Sequence, residues 1–442
     1  MRIPKFSTLV KYHILLGILL IFIPTLFIVH LYVFFAVYIF LLFNSFRNSQ
    51  NFIQYFLIGF LYFPLSEAVG RLHSLDPFVP WEFGKYMAIF FVAVLLFSNK
   101  IILGLRFALG TLLILTTFIN GNTTWKLVFF NAIITLSIML MGDFFDKIKL
   151  ESTKFLLYLR FALLPLIVFL FSSLGKLQNF KAESLQLNSN FILDEIPSNQ
   201  IATYMGLGFF LVLIFYKFKV EIGLKQWQKL ILAFSALLVG IISFSRGGIV
   251  VGILGLVVIY FFKFKDLFTF RYAKQILIVI SVFLVLAYYV NTKSNGNLIL
   301  RYQGETEGTL IGGKENGLNN LTTNRFNIMT GDISTFSNNL IFGVSTGKSK
   351  EYRLDSVDQL SHVEFSRLLA ENGIFGLLVC FFWVMDIFII RRKFGGQLKL
   401  AIFLVGFATT FHGAMRTSVP LVFMLFSLIS IVPSKINSDK VI

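Results

Sequence analysis

Apolar residues run along this chain in long blocks, each about as long as the twenty or so residues that cross a bilayer as a helix, and short polar stretches separate them. The first block, Ile14 to Phe43, exceeds one crossing. Pro24 and His30 predict its division into a hairpin of two helices, about 13–28 and 30–44. Further spans are predicted near 51–65, 84–98, 101–119, 125–142, 157–174, 199–216, 230–245, 249–262 and 274–290. The last three fall near 366–390, 398–414 and 418–433. Between them lies the longest polar, glycine-spotted stretch of the chain, which starts at Asn291 and ends at Glu364. The pattern predicts an all-α polytopic membrane protein of about 14 transmembrane helices with one long external loop. Three segments follow: 1–290 as a bundle of about 11 spans, 291–364 as the external loop with short helices, and 365–442 as about three closing spans.

Composition agrees. Hydrophobic residues make up 56% and charged residues 14% of the 442, against about a quarter charged in soluble domains. A net charge of +17 would suggest nucleic acid in a soluble protein, but here its placement matters more, because basic residues mark the cytoplasmic side. With the N-terminus inside, the inner connections are 1–12, 44–50, 98–106, 143–160, 216–229, 263–274, 391–399 and 434–442. These hold most of the 39 Lys and Arg residues. Both termini are then cytoplasmic, and Arg246, His362 and Arg416 face outward. Asp386 and Arg160 lie close to helix ends, where they can snorkel. Few charges fall at mid-helix depth and no internal repeat is visible, which counts against an ion-coupled transporter. The apolar start, preceded by Arg2 and Lys5, has no small-residue cleavage site and reads as a retained first helix. Cys380, the single cysteine, excludes a disulfide framework, and the 55 phenylalanines read as lipid-facing bulk.

Candidate chemistry collects on the outer side. Ser245-Arg246-Gly247-Gly248 joins two helices; its glycines allow a tight reversal and a close backbone approach to a ligand, and its guanidinium suits phosphate oxygens. Asn324-Arg325-Phe326-Asn327 reads as the start of an external helix, and Asn339–Val344 as the turn after it. His362 stands at the start of the twelfth span, where an imidazole with a pKa near 6.5 can accept a proton from a sugar hydroxyl. Glu364 follows it closely. Arg71 and His73 share an outer loop spanning Ser66–Phe83 and could line the same cavity; Arg416 stands at an outer helix end. Glu305 with Glu307, and Asp355 with Asp358, are spaced acidic pairs of the kind that hold a divalent cation, or simply solvated carboxylates. Gly343–Ser349 has one residue too few between its glycines for a phosphate-binding loop. His13, His30 and His412 read as packed helix residues.

Ser-Arg-Gly-Gly at an outer junction, an arginine-led helix in a long outer loop, and His362 before Glu371-Asn372-Gly373-Ile374-Phe375-Gly376-Leu377 together resemble the O-antigen ligase and polymerase superfamily, most specifically over about 235–380. The resemblance implies a membrane fold like that of C-type glycosyltransferases. It also implies catalysis by His362, Arg246 and Arg325; those two arginines, with Arg71, Arg416 and Glu364 from the reading of the residues themselves, make the candidate substrate-binding set. Val363 stands where the family often has Asn. The implied donor is a glycan on undecaprenyl pyrophosphate, and the acceptor a growing glycan or lipid A core. No metal or other cofactor is implied. A chain-length regulator is an expected partner, and the bacterial inner membrane the expected location, with chemistry on the periplasmic face. A polysaccharide flippase remains the alternative of another class.

Overall fold

The structure, a computed structural model, describes residues 5–119, 124–177, 196–261, 270–303, 325–353, 361, 363–413 and 415–433. Its helices are α1 (Phe6–Leu19), α2 (Leu26–Asn44), α3 (Ser49–Tyr62), α4 (Glu67–Leu72), α5 (Phe83–Phe97), α6 (Leu105–Ile119), α7 (Trp125–Lys147), α8 (Ser152–Leu159), α9 (Leu163–Leu177), α10 (Ser198–Lys217), α11 (Gln226–Ile242), α12 (Arg246–Phe261) and α13 (Phe270–Lys293). They continue with α14 (Asn297–Gln303), α15 (Arg325–Asn338), α16 (Ser349–Tyr352), α17 (Glu364–Arg392), α18 (Gly396–Gly413) and α19 (Val419–Leu428). Two short strands, Lys149–Glu151 and Ser430–Val432, lie among the described residues.

The protein is an all-α integral membrane protein. Among the described residues six helical stretches are long and apolar enough to cross a bilayer: Leu26–Asn44, Ser49–Leu72, Trp125–Lys147, Ser152–Leu177, Ser198–Lys217 and Glu364–Arg392. Shorter apolar helices accompany them at the other places where hydropathy puts spans, except near 398–414, where α18 falls in neither group. Two boundaries differ from expectation. The first hairpin turns at Leu20–Thr25 around Pro24, where a ring without an N–H ends the ladder. His30 does not break the chain: it lies inside α2, bonded through Nε2 to the Tyr62 hydroxyl at 2.7 Å. The presumed loop Ser66–Phe83 is also shorter, since residues 64–72 continue as helical turns and Glu67 and Arg71 are buried.

The chain packs as two compact units that are not sequential. The first comprises 1–87, 150–298 and 432–442. Its centre is α10, in which every residue from Gln200 to Phe215 is buried, against α9, α11 and α12. Phe52, Phe56 and Phe60 stack down α3 with centroids 5.7 and 6.1 Å apart and no exposure, so part of the phenylalanine content is core and not lipid-facing bulk. The Tyr62 hydroxyl also meets His13 Nε2 at 3.0 Å, tying α1, α2 and α3. Lys229 donates to the Val220 carbonyl and Lys217 to that of Ile259, cations at helix ends where carbonyls lack partners. Arg160 donates to the Glu221 carbonyl and lies over the Phe6 ring.

The second unit comprises 88–149 and 299–431. In it α6 and α7 pair, α18 and α19 pair, and α17 packs on α6, α15 and α18. Asp386 does not snorkel. It is buried and ion-paired with Arg106, whose Nε also lies 3.9 Å from Asp143. The reason is cost: a carboxylate facing hydrocarbon is expensive, and a cation on the neighbouring helix α6 compensates the charge.

Candidate active site

In the first unit, the chain after α3 coils around a buried ion network. Arg71 donates from Nε to the Trp81 carbonyl (2.8 Å), from Nη1 to Gln200 Oε1 (2.8 Å) and from Nη2 to Glu67 Oε2 (3.2 Å). Glu67 also accepts the Tyr204 hydroxyl at 2.6 Å and the Gly84 amide at 3.1 Å. Lys85 meets Glu82 at 2.6 Å. Arg71 and Glu67 are each 1% exposed, so the arginine that sequence places at an outer cavity is engaged by its own unit. His73 follows α4; burial, and then the Lys176 ammonium, lower its pKa to about 4, so it is neutral at pH 7.

Arg246 opens α12 in the same unit. The reversal before it is made by Phe244, at φ 54°, and not by the glycines, which are helical. Gly248 instead brings α12 against α10: a Cβ there would overlap the backbone of Ala202 and Thr203. The expected close approach is therefore between two helices.

In the second unit, α15 covers Arg325–Asn338, and α17 begins at Glu364, close to the start near 366 that the sequence pattern predicts. The notable departure is that α17 is broken. Gly373 adopts φ 58° and ψ −135°, which separates a half-helix, 364–372, from the span 374–392. The chain after α15 fits into the break: the Val344 amide donates to the Ala370 carbonyl (2.9 Å), Ser345 to Glu371 (3.0 Å), and Ile374 to Leu340 (2.8 Å). Gly343, at φ 68°, meets the Glu371–Asn372 peptide, and Gly373 meets Ile341 O, with no room for a Cβ at either place. The peptide groups opened by the break are thus re-satisfied by protein, as buried backbone requires.

The half-helix carries a buried charge cluster. Arg367 donates to Glu364 Oε2 from Nε (3.1 Å), to Glu364 Oε1 (2.5 Å) and the Asn131 carbonyl (2.6 Å) from Nη2, and to Glu371 Oε2 from Nη1 (3.0 Å). Thr135 donates to Glu364 Oε1 at 3.0 Å and Ser349 to Glu371 Oε1 at 3.2 Å. Both Glu364 oxygens are therefore taken. Beside them Asp332 accepts from Ser366 at 2.9 Å and pairs with Arg353 at 3.3 Å. Burial raises its pKa, against the pull of Arg353. Ser361 and Val363, the neighbours of position 362, are buried, and the Val363 amide donates to Ser361 Oγ at 3.3 Å.

His362 itself lies outside the described residues, as do Glu305, Glu307, Asp355 and Asp358. Arg325 and Arg416 are half-buried members of the second unit, and the Arg325 guanidinium is near enough to His412 for a Coulombic interaction. Arg246 and Arg71 belong to the first unit, and Glu364 to the second. Sequence reasoning missed Arg367, Glu371 and Asp332. The spacing Glu364, Arg367, Glu371 on one helical face could have revealed the first two. Asp332 has no such signal. Among the described residues no group of three His, Cys, Asp or Glu side chains is arranged to hold a metal ion.

These features define a polytopic membrane protein whose charges are gathered into buried clusters around interrupted helices. Residues 230–381 match the family described as O-antigen ligase, a match that supports the O-antigen ligase and polymerase superfamily over that stretch. The matched stretch includes Arg246, Arg325, His362, Glu364, Arg367 and both break-forming glycines; Arg71 and Arg416 fall outside it. The family implies ligase- or polymerase-type function on a lipid-linked glycan and an acceptor, in a membrane. No curated protein matches the chain.

Proposed function

We propose that this protein is a glycosyltransferase of the bacterial inner membrane that polymerises undecaprenyl-pyrophosphate-linked glycan on the periplasmic face, in the synthesis of O-antigen, capsule or exopolysaccharide. The observation that carries the reading is the family match, which encloses Arg246, Arg325 and His362 together. In this reading fourteen spans leave both termini in the cytoplasm. His362 takes the proton from an acceptor hydroxyl, whose oxygen attacks the anomeric carbon. The bond from that carbon to the pyrophosphate oxygen breaks, and Arg246 and Arg325 hold the charge that grows there. Attack opposite the leaving group inverts the anomeric centre. One well-placed donor of this kind lowers a barrier by about 3 kcal/mol, roughly 100-fold in rate, so two guanidinium groups can supply the positive charge without a metal. Arg416 extends the phosphate-binding surface, while Arg71 and Glu364 support the elements around it. A chain-length regulator is the proposed partner.

The test is direct. His362→Ala and Arg246→Ala should each abolish long glycan chains, read as ladders on a gel, while the protein still inserts; normal ladders in both would refute the reading. A flippase would keep working without His362. A ligase, which hands the glycan to lipid A core, would leave lipid-linked polymer to accumulate in its absence, whereas loss of a polymerase leaves single repeat units.

A further inference from the structure

The first turn of α12 needs something to hold it. Arg246 is the first residue of that helix, and the chain reaches it through Phe244 in a left-handed conformation. Nothing helical precedes it on its own axis. What lies two residues on is a contact between backbones. A Cβ on Gly248 would overlap the Ala202 carbonyl and the Thr203 nitrogen, one on Gly206 would overlap the Gly248 carbonyl oxygen, and one on Gly252 would overlap the Gly206 carbonyl. Over a little more than one turn α10 and α12 therefore touch main chain to main chain, as small residues permit in membranes. Such a contact has no rotamers with which to yield, so it sets the height and rotation of α12 more tightly than side-chain packing does.

The same stretch of α10 is anchored on its other side. Gln200 and Tyr204, one turn apart, bond to Arg71 and Glu67. Residues 202, 203 and 206 face α12. To slide or turn beneath α12, α10 would have to release two hydrogen bonds to fully buried charges, a costly step. We propose that Gly248, seated on the Ala202–Thr203 backbone, is the positioning residue for Arg246, and that the Arg71–Glu67 network holds that seat in place. The proposal rests on the reading of Arg246 as a ligand of the departing pyrophosphate. Its physical basis is that displacing a reacting group by about 1 Å costs roughly 100-fold in rate.

The experiment compares variants of the full chain in detergent, with a lipid-linked repeat unit as substrate. Gly248→Ala should insert normally and lose about 100-fold in kcat with little change in KM. Gly206→Ala, which strikes the same seat from α10, should repeat that pattern. Gly208→Ala, whose Cβ would meet Ala236 at an ordinary 3.8 Å, should keep full activity. In an Arg246→Lys background Gly248→Ala should add less than about 3-fold, because residues acting as a unit are not additive. Full activity of Gly248→Ala, equal loss in both backgrounds, or failure of both Gly248→Ala and Gly206→Ala to insert would overturn it. If Arg246→Lys and Arg246→Ala are themselves fully active, the functional reading of Arg246 fails instead.

Discussion

Arg367 makes four hydrogen bonds to three partners and is 5% exposed. An arginine so placed is not there for solubility. It neutralises Glu364 and Glu371, neither of which is more than 2% exposed. Removing one partner of a buried pair leaves an uncompensated charge, at a cost of about 3–5 kcal/mol. Arg367→Met should therefore lower thermal stability in detergent by that order, and Arg367→Lys, which cannot span both carboxylates, should recover only part of it. A melting temperature unchanged in the Met variant would show that the cluster contributes nothing to the fold. At this scale the sequence was only half legible. The helical spacing of Glu364, Arg367 and Glu371 was visible, but Arg71 and Gln200, 129 residues apart, gave no sign of each other.

At the scale of elements, agreement between pattern and structure is close for most spans. The three predicted near 84–98, 125–142 and 199–216 are seen as Phe83–Phe97, Trp125–Lys147 and Ser198–Lys217. Hydropathy works here because each helix satisfies its own peptide groups, so the bilayer selects length locally. It fails at α17, where an unbroken apolar run after Gly373 hides an interruption just before it. Glycine at position 373 was visible; that it would adopt a positive φ was not, because the reason is a loop thirty residues earlier. Gly373→Ala should strain the backbone and collide with Ile341 O, 2.5 Å from the new Cβ. The expected result is loss of more than about 1 kcal/mol and faster proteolysis at 340–347. Unaltered cleavage would mean that the loop holds to α17 without the break.

For the molecule as a whole, two units form from segments that alternate along the chain. Hydrophobicity marks which residues enter a membrane but not which helices are neighbours. The proposed topology has its own check: alkaline phosphatase fused after Asn338 should be active, and fused after Val432 inactive. The reverse pattern would invert every assignment of face.

The sequence by itself determined that the chain is helical and membrane-embedded, where most spans begin and end, and which family a stretch of its second half resembles. Those properties depend on local solvation and on short motifs. Only the tertiary structure decided what the charges and glycines do: that Gly248 seats one helix on another, that Asp386 reaches Arg106 across 280 residues of chain, and that Arg71 serves α10. Burial makes a partner obligatory for each such group, yet the partner is chosen by packing between distant segments, and that choice leaves no local trace.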